Sequence, residues 1–259
     1  MTLAPAPAGH GVVFHRMDLG GHAVKASYEN VAETRLGTVI ANGETRVGVV
    51  EHLMAAVAGA EIDDLIVRLD GPEPPILDGD ALAYLKLIDR AGISESAGSR
   101  DCIVVRKPVS VGREDAWARL EPATARYFEF DIQFDTAAIG SQHFSLTFSP
   151  AAFRSDIAPA RTFGFMAELE ALNKMGLGKG ASLENTLAID GDNVVNAELM
   201  RFPDEFVRHK ILDAIGDMAL AGAPMLGRFT GNRSGHALNN ALLRALFADP
   251  ANYELHPQG

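Results

Sequence analysis

Three short stretches of this chain carry the residue types that metal and acid–base chemistry need. In the first, Phe202 to Gly222, His209, Asp213 and Asp217 recur every four residues, so in a helix they stand one turn apart along one face. Val207, Ile211, Ile215 and Met218 mark a second, apolar face of the same segment. An imidazole and a carboxylate on consecutive turns, His209 and Asp213, can grip one metal ion; a solvated polar stripe on an amphipathic helix has the same spacing. In the second stretch, Glu51-His52 sits inside the apolar run Gly48 to Ala58, where a charge needs a partner because an unpaired buried charge is costly. The pair reads as a metal ligand, His52, beside a base, Glu51, or as an ordinary helix N-terminus, where a first-turn Glu is favourable. In the third, Ser234-Gly235-His236 leads from a loop into a helix and places an imidazole at a cleft, or simply in a first turn. His10, His15, His22, His143 and His256 have no comparable setting and read as structural or surface residues.

Taken together, two His and one Asp with an open fourth position make a catalytic zinc arrangement, not a structural one. Zinc lowers the pKa of its water to about 7. A separate carboxylate can then take a proton and a separate His can give one. The only cysteine, Cys102, allows neither an internal disulfide nor a Cys-rich metal site, so any such ion must be held by His and carboxylates. A reducing cytoplasm fits that usage. Iron(II) suits a His-His-Asp site as well as zinc does.

The elements that must position these residues fall into two groups. Ser94 to Arg100, small and polar, reads as a linker between compact units at residues 1–95 and 101–259. In the first unit, strands are predicted at Gly11 to His15, Leu36 to Ala41 and Glu44 to Val49, with Asn42-Gly43 as the hairpin turn. A buried helix follows over Val50 to Ala58, then a strand over Leu65 to Leu69. The Gly71 to Pro75 loop comes next, and a helix over Ala81 to Ala91 stops at Gly92. In the second unit, strands are predicted at Ile103 to Val111, Ala116 to Leu120, Phe128 to Phe134 and Phe144 to Phe148. A helix at Phe165 to Met175 and a turn at Gly176 to Gly180 follow. The unit ends with a helix over Pro203 to Ala221, a strand over Met225 to Thr230, a loop over Gly231 to Gly235 and a helix over His236 to Phe247. Both halves end as helix, strand, loop, helix, which points to a duplication. Strands precede helices instead of alternating with them, so the class is α+β.

Composition narrows the partners. The chain of 259 residues is 47% hydrophobic and 22% charged, as in an ordinary globular protein. A formal net charge of -11 argues against a nucleic-acid binder, and an anionic ligand would need a local basic pocket. Met1 to Gly11 has no basic start and no long apolar core, so it does not read as a signal peptide. The longest apolar run, Leu53 to Ala60, is too short to span a bilayer, so a lipid substrate would be met at, or drawn from, a membrane surface.

These residues stand in stretches that resemble a known family, the UDP-3-O-acyl-N-acetylglucosamine deacetylases of lipid A biosynthesis. The matching stretches are Val50 to Leu53, Asp70 to Gly79, Ala160 to Phe165, Phe206 to Asp217 and Ser234 to Asn240, collinear through nearly the whole chain. The resemblance implies two similar α+β domains, each a sheet packed on a pair of helices, with the active site between them. It implies zinc on His52, His209 and Asp213, Glu51 as general base, and His236 as the proton donor oriented by Asp217. It further implies that Thr162 binds the oxyanion, Lys210 holds substrate, Phe163 lines the substrate site and Phe134 stacks on the nucleotide. An insert around residues 165–196 would form an apolar passage for the acyl chain, for which Met166, Leu169, Leu172, Met175 and Leu177 are suited. The implied reaction is zinc-dependent removal of the N-acetyl group from a UDP-linked, acylated glucosamine by a cytoplasmic monomer.

The sequence departs from that family in two places. Members usually begin with about twenty more residues, including a Gly-x-Gly-Leu-His-Ser-Gly-like stretch that forms the first strands. Here the chain opens at Leu3-Ala4-Pro5-Ala6-Pro7, so the first sheet is expected to lack strands and to show an open edge. Asp135-Thr136-Ala137 stands where Asp-His-Pro is usual, which implies altered nucleotide contacts. Two other readings follow from these departures and from the site itself. One is a non-catalytic paralogue that binds a sugar nucleotide or an acyl chain. The other is a zinc amidase for another acylated amino sugar.

Overall fold

The computed structural model describes residues 1–167 and 180–258, and its architecture is α+β. The first sheet is built from β1 (Thr2–Pro5), β2 (Val12–Arg16), β3 (His22–Lys25) and a later strand, Leu65–Leu69. Between them, β4 (Val31–Glu33), β5 (Val39–Asn42) and β6 (Thr45–Val47) form a small antiparallel sheet. Its hairpin pairs Asn42 with Thr45, so the turn is Gly43-Glu44, one residue later than the sequence suggests; Gly43 takes the positive φ of 58°. With Leu65–Leu69 numbered β7, the first sheet runs β1-β7-β2-β3, β7 lying parallel to β2 and antiparallel to β1. β1 stands at the edge, and Pro5 ends it, where a missing N–H costs least.

Helix α1 (Glu51–Gly59) buries nearly every side chain it has, because Leu53, Met54, Ala55, Ala56 and Val57 leave it no polar side. Each large apolar side chain buried this way contributes about 1.5–3 kcal/mol. Helix α2 (Leu82–Ala91) is amphipathic instead: Tyr84, Leu85 and Ile88 are buried, and Gly92 ends it at φ 78°.

The large sheet begins with β8 (Arg100–Val105) and β9 (Val109–Arg113). The single run expected over Ile103 to Val111 is therefore two strands. Pro108 lies in the break, and proline cannot donate to a ladder. β10 (Ala116–Glu121), β11 (Arg126–Gln133) and β12 (Ser141–Thr147) follow. Alternation sets their faces: Phe128, Phe130 and Ile132 of β11 point into the core, while Glu129 and Asp131 lie on the other face. A helical turn over Pro150–Ile157 leads to β13 (Phe163–Phe165), which pairs with β14 (Leu187–Asp190), itself paired with β15 (Asn193–Val194). Phe165 thus closes a strand instead of opening a helix. Most of the expected helix, the Gly176 to Gly180 turn except its last residue, and Leu169, Leu172, Met175 and Leu177 lie outside the described residues.

Helix α3 (Glu205–Ala219), β16 (Met225–Asn232), α4 (His236–Ala248) and β17 (Tyr253–Gln258) complete the chain. β16 extends to Asn232, into the segment expected to be loop. β17 was not foreseen; it pairs with β8, which also meets the start of β16. The order β12-β11-β16-β10-β9 places β16 parallel to β11 and antiparallel to β10. That repeats β7, which is also flanked by one parallel and one antiparallel neighbour and lies between two helices in sequence. The helix–strand–helix similarity of the two halves thus extends to strand pairing. Among the described residues, no helix is long and apolar enough to cross a membrane.

Candidate active site

The site begins where α1 and α3 press together. An added Cβ on Gly216 of α3 would lie 2.0 Å from the backbone oxygen of Glu51, so only glycine lets the start of α1 come this close. The contact brings Glu51 and His52 against the polar stripe of α3. That stripe is not a solvated face: His209, Asp213 and Asp217 are between 2% and 4% exposed, and Glu51 and His52 are 3% and 5% exposed. Five polar side chains held this far from water need partners among themselves or in an ion.

The geometry supplies partners and gathers donors that could hold an ion. Ligand-type atoms of His52, His209 and Asp213 all lie within 4.8 Å of one another. Asp213 Oδ1 is 3.6 Å from His52 Nε2 and 3.4 Å from His209 Nε2. Donors bound at about 2.0–2.1 Å and at tetrahedral angles to one zinc ion stand roughly 3.3–3.4 Å apart, so this set fits such an ion with little movement. His209 Nδ1 faces the carbonyl of Ala160 at 3.1 Å, which leaves Nε2 for a metal. Lys210 Nζ donates to Asp213 Oδ2 at 2.9 Å, so its ammonium offsets the charge of that carboxylate. Burial raises Asp213, but Lys210 and His209 outweigh it and hold the carboxyl well below its ordinary value of 3.8. Burial takes His209 down to about 4, which keeps its lone pair free. Burial lowers His52 as well, yet Asp213 and Glu51 outweigh it and leave that imidazole above 6.5; an ion there competes with a proton.

Beside this set stands an acid–base pair. Glu51, Asp213 and His236 also bring one ligand-type atom each within 4.8 Å. His236 Nε2 is 3.9 Å from Glu51 Oε1. Its Nδ1 donates to Asp217 Oδ2 at 2.8 Å. Burial lowers His236, but Asp217 and Glu51 outweigh it and raise it to about 9. Burial raises Glu51 above its ordinary 4.5, against the pull of His236 and His52. A buried carboxylate and a protonated imidazole side by side can take one proton and supply another.

Of the remaining expected residues, Phe163 packs edge-on to His209 with centroids 6.2 Å apart, and Phe134 meets Phe163 edge-on at 5.9 Å. Thr162 is half-buried and pinned through its backbone: its N–H donates to Gly79 O at 2.8 Å and its carbonyl accepts from Leu187 at 2.9 Å. Gly79 could not be another residue: its φ is +72°, and a Cβ there would meet Asn185 O at 1.9 Å. Met166 is 36% exposed, at the edge of the described residues.

Sequence reasoning missed several supports. Glu205, fully buried, accepts N–H bonds from Arg161 at 2.9 Å, from Phe202 at 3.2 Å and from Arg201. It thereby fixes the residue that follows Ala160. Arg201 ties Asp78 and Asp80 to the same segment. Asn239 Nδ2 donates to Asp217 Oδ2 at 2.9 Å; its position three residues after His236, on the same helix face, was a legible signal. Thr38 bonds both Glu51 and Asp217 and carried no signal at all. His143, which reads as a structural or surface residue, is exposed, and it lies with the half-buried Glu129 and Asp131 in a further group of ligand-type atoms on the outer face of the large sheet. A cavity of about 590 Å³ between Met54, residues 93–101, Arg126 and Met225 contains none of the clustered residues.

The chain is similar in sequence to known proteins. The sequence model described as UDP-3-O-acyl N-acetylglycosamine deacetylase matches residues 1–248. The UDP-3-O-acyl-N-acetylglucosamine deacetylase of Myxococcus xanthus (strain DK1622) is 47% identical over 258 residues, which cover 99% of this chain and 82% of that protein. The enzyme of that name from Phenylobacterium zucineum (strain HLK1) is 48% identical over 253 residues, 96% of this chain and 86% of its own length. That of Acidithiobacillus ferrooxidans is 47% identical over 247 residues, 94% and 81% respectively.

Proposed function

We propose, because the chain belongs to the UDP-3-O-acyl N-acetylglycosamine deacetylase family, that it hydrolyses the N-acetyl group of UDP-3-O-(3-hydroxyacyl)-N-acetylglucosamine and releases acetate, an early step of lipid A biosynthesis. The observation that carries the reading is the convergence of His52, His209 and Asp213 on one point, with Glu51 and His236 beside it.

His52, His209 and Asp213 would hold the ion, and zinc suits two imidazoles and a carboxylate with a fourth position open. Bound there, zinc supplies a water of lowered pKa and a positive charge for the amide oxygen. Glu51 Oε1 takes a proton from the attacking water as the new C–O bond forms. The hydroxyl of Thr162 donates to the oxygen that gains negative charge. His236, protonated at neutral pH and steadied by Asp217, gives its Nε2 proton to the nitrogen as the C–N bond breaks. Acetate and the free amine are the products, and the proton taken by Glu51 balances the one given by His236. Lys210, paired with Asp213, sits where its charge can also meet an anionic substrate. Phe163 lines the pocket and Phe134 offers a ring to the nucleotide.

Residues 1–95 and 101–259 are read as the two domains whose junction houses the site, with the insert around 165–196 guiding the acyl chain. The substrate is a small UDP-sugar, and the chain works in the cytoplasm as a monomer. The test is acetate release from the UDP-linked substrate by purified protein, with and without a chelator. Stoichiometric zinc with no acetate released overturns the reading.

A further inference from the structure

Thr38 lies in the segment between β4 and β5, far in sequence from every residue of the proposed chemistry except Glu51 and His52, and it is 1% exposed. Its backbone N–H donates to Glu51 Oε2 at 2.9 Å. Its hydroxyl donates to Asp217 Oδ1 at 2.5 Å across a sequence separation of 179 residues. Each carboxylate is thereby divided into an anchored oxygen and a working one. On Glu51, Oε2 is tied and Oε1 is left facing His236 Nε2 at 3.9 Å. On Asp217, Oδ1 is tied and Oδ2 is left to hold His236 Nδ1, with Asn239 as its second donor. A carboxylate with one free torsion at its end can exchange its oxygens by rotation. A donor fixed on one oxygen stops that exchange and sets the direction in which the other points.

We propose that Thr38 is a positioning residue that aligns the base Glu51 with the imidazole of His236 through both carboxylates at once. The inference rests on the deacetylase reading for its kinetic consequence, though its geometric content stands apart from that reading. No side chain of the first three strands reaches these groups in the same way. Residues on opposite sides of the site are thus held to a common frame by one amino acid.

The experiment uses the whole 259-residue chain loaded with zinc. Thr38→Val keeps the N–H and the shape and removes only the hydroxyl. It should lower kcat about 10- to 100-fold, with KM and bound zinc unchanged. Thr38→Ser, which restores a hydroxyl, should recover most of the rate. In a cycle with Asp217→Asn, the double variant should be little worse than Asp217→Asn alone, because Thr38 acts through Asp217. An unaltered kcat in Thr38→Val, equal losses in the valine and serine variants, or full additivity in the cycle overturns the proposal. So does loss of folding in Thr38→Val and Thr38→Ala together, which would make the role structural. If the unsubstituted chain releases no acetate, the deacetylase reading fails instead. Thr38 is then read by NMR on ¹⁵N-histidine-labelled protein: Thr38→Val should shift the Nδ1 proton of His236, and an unmoved resonance overturns the proposal.

Discussion

His236 donates from Nδ1 to Asp217 Oδ2 at 2.8 Å, and that bond makes Nε2 the atom that faces Glu51. Because Asp217 and Glu51 hold the imidazole at about 9, it carries its proton through the neutral range. Turnover should therefore fall as pH rises through about 9, when the donor is lost, and fall on the acid side when Glu51, raised above 4.5, takes up a proton. The same shift acts on stability. The folded pKa lies above the ordinary 6.5, so the contribution of His236 is fully present below 6.5, declines between 6.5 and 9, and is gone above. A pH–rate profile of kcat checks the first claim. Denaturant melts of the chain and of His236→Gln, taken at pH 6 and at pH 9.5, check the second; an equal difference at both pH values would count against it.

Glu51→Gln should keep bound metal and lose about 10²–10⁴-fold in kcat, because the ligand set stays whole while the base is removed. Zinc per chain and acetate release, measured on one sample, separate the two effects. Unchanged turnover would remove Glu51 from the role of base.

His209→Ala should lose both metal and acetate release. The ring that is removed would supply a ligand atom and makes the hydrogen bond to Ala160. Metal-depleted His209→Ala retaining full activity would end the metal-dependent reading.

Gly216→Ala should destabilise the chain by about 1–3 kcal/mol, as overpacking does. Its Cβ would lie 2.0 Å from the backbone oxygen of Glu51. The same push displaces the start of α1, so kcat should fall with stability. A thermal melt and a kinetic assay check both, and a variant as stable and active as the parent would show that the two helices can part without consequence.

Much of the site was legible in the sequence because it depends on local periodicity. His209, Asp213 and Asp217 share a face by helical spacing alone, and Asn239 follows His236 by the same rule. The alternation of β11 and the glycine after α2 likewise declare themselves locally. The family resemblance pointed to His52 and His209 as partners.

Tertiary structure decided the rest. The polar stripe of α3 has the spacing of a solvated face, and it is buried by the packing of α1 at Gly216 together with Ala160, Phe163 and the start of α4. The last strand β17 and the parallel pairing of β16 with β11 follow from long-range pairing, which no local pattern encodes. Glu205, Arg201 and Thr38 act on residues far away in sequence. A buried carboxylate or hydroxyl reveals its partner only once the chain has closed around it, since the desolvation that makes the bond matter does not exist before folding.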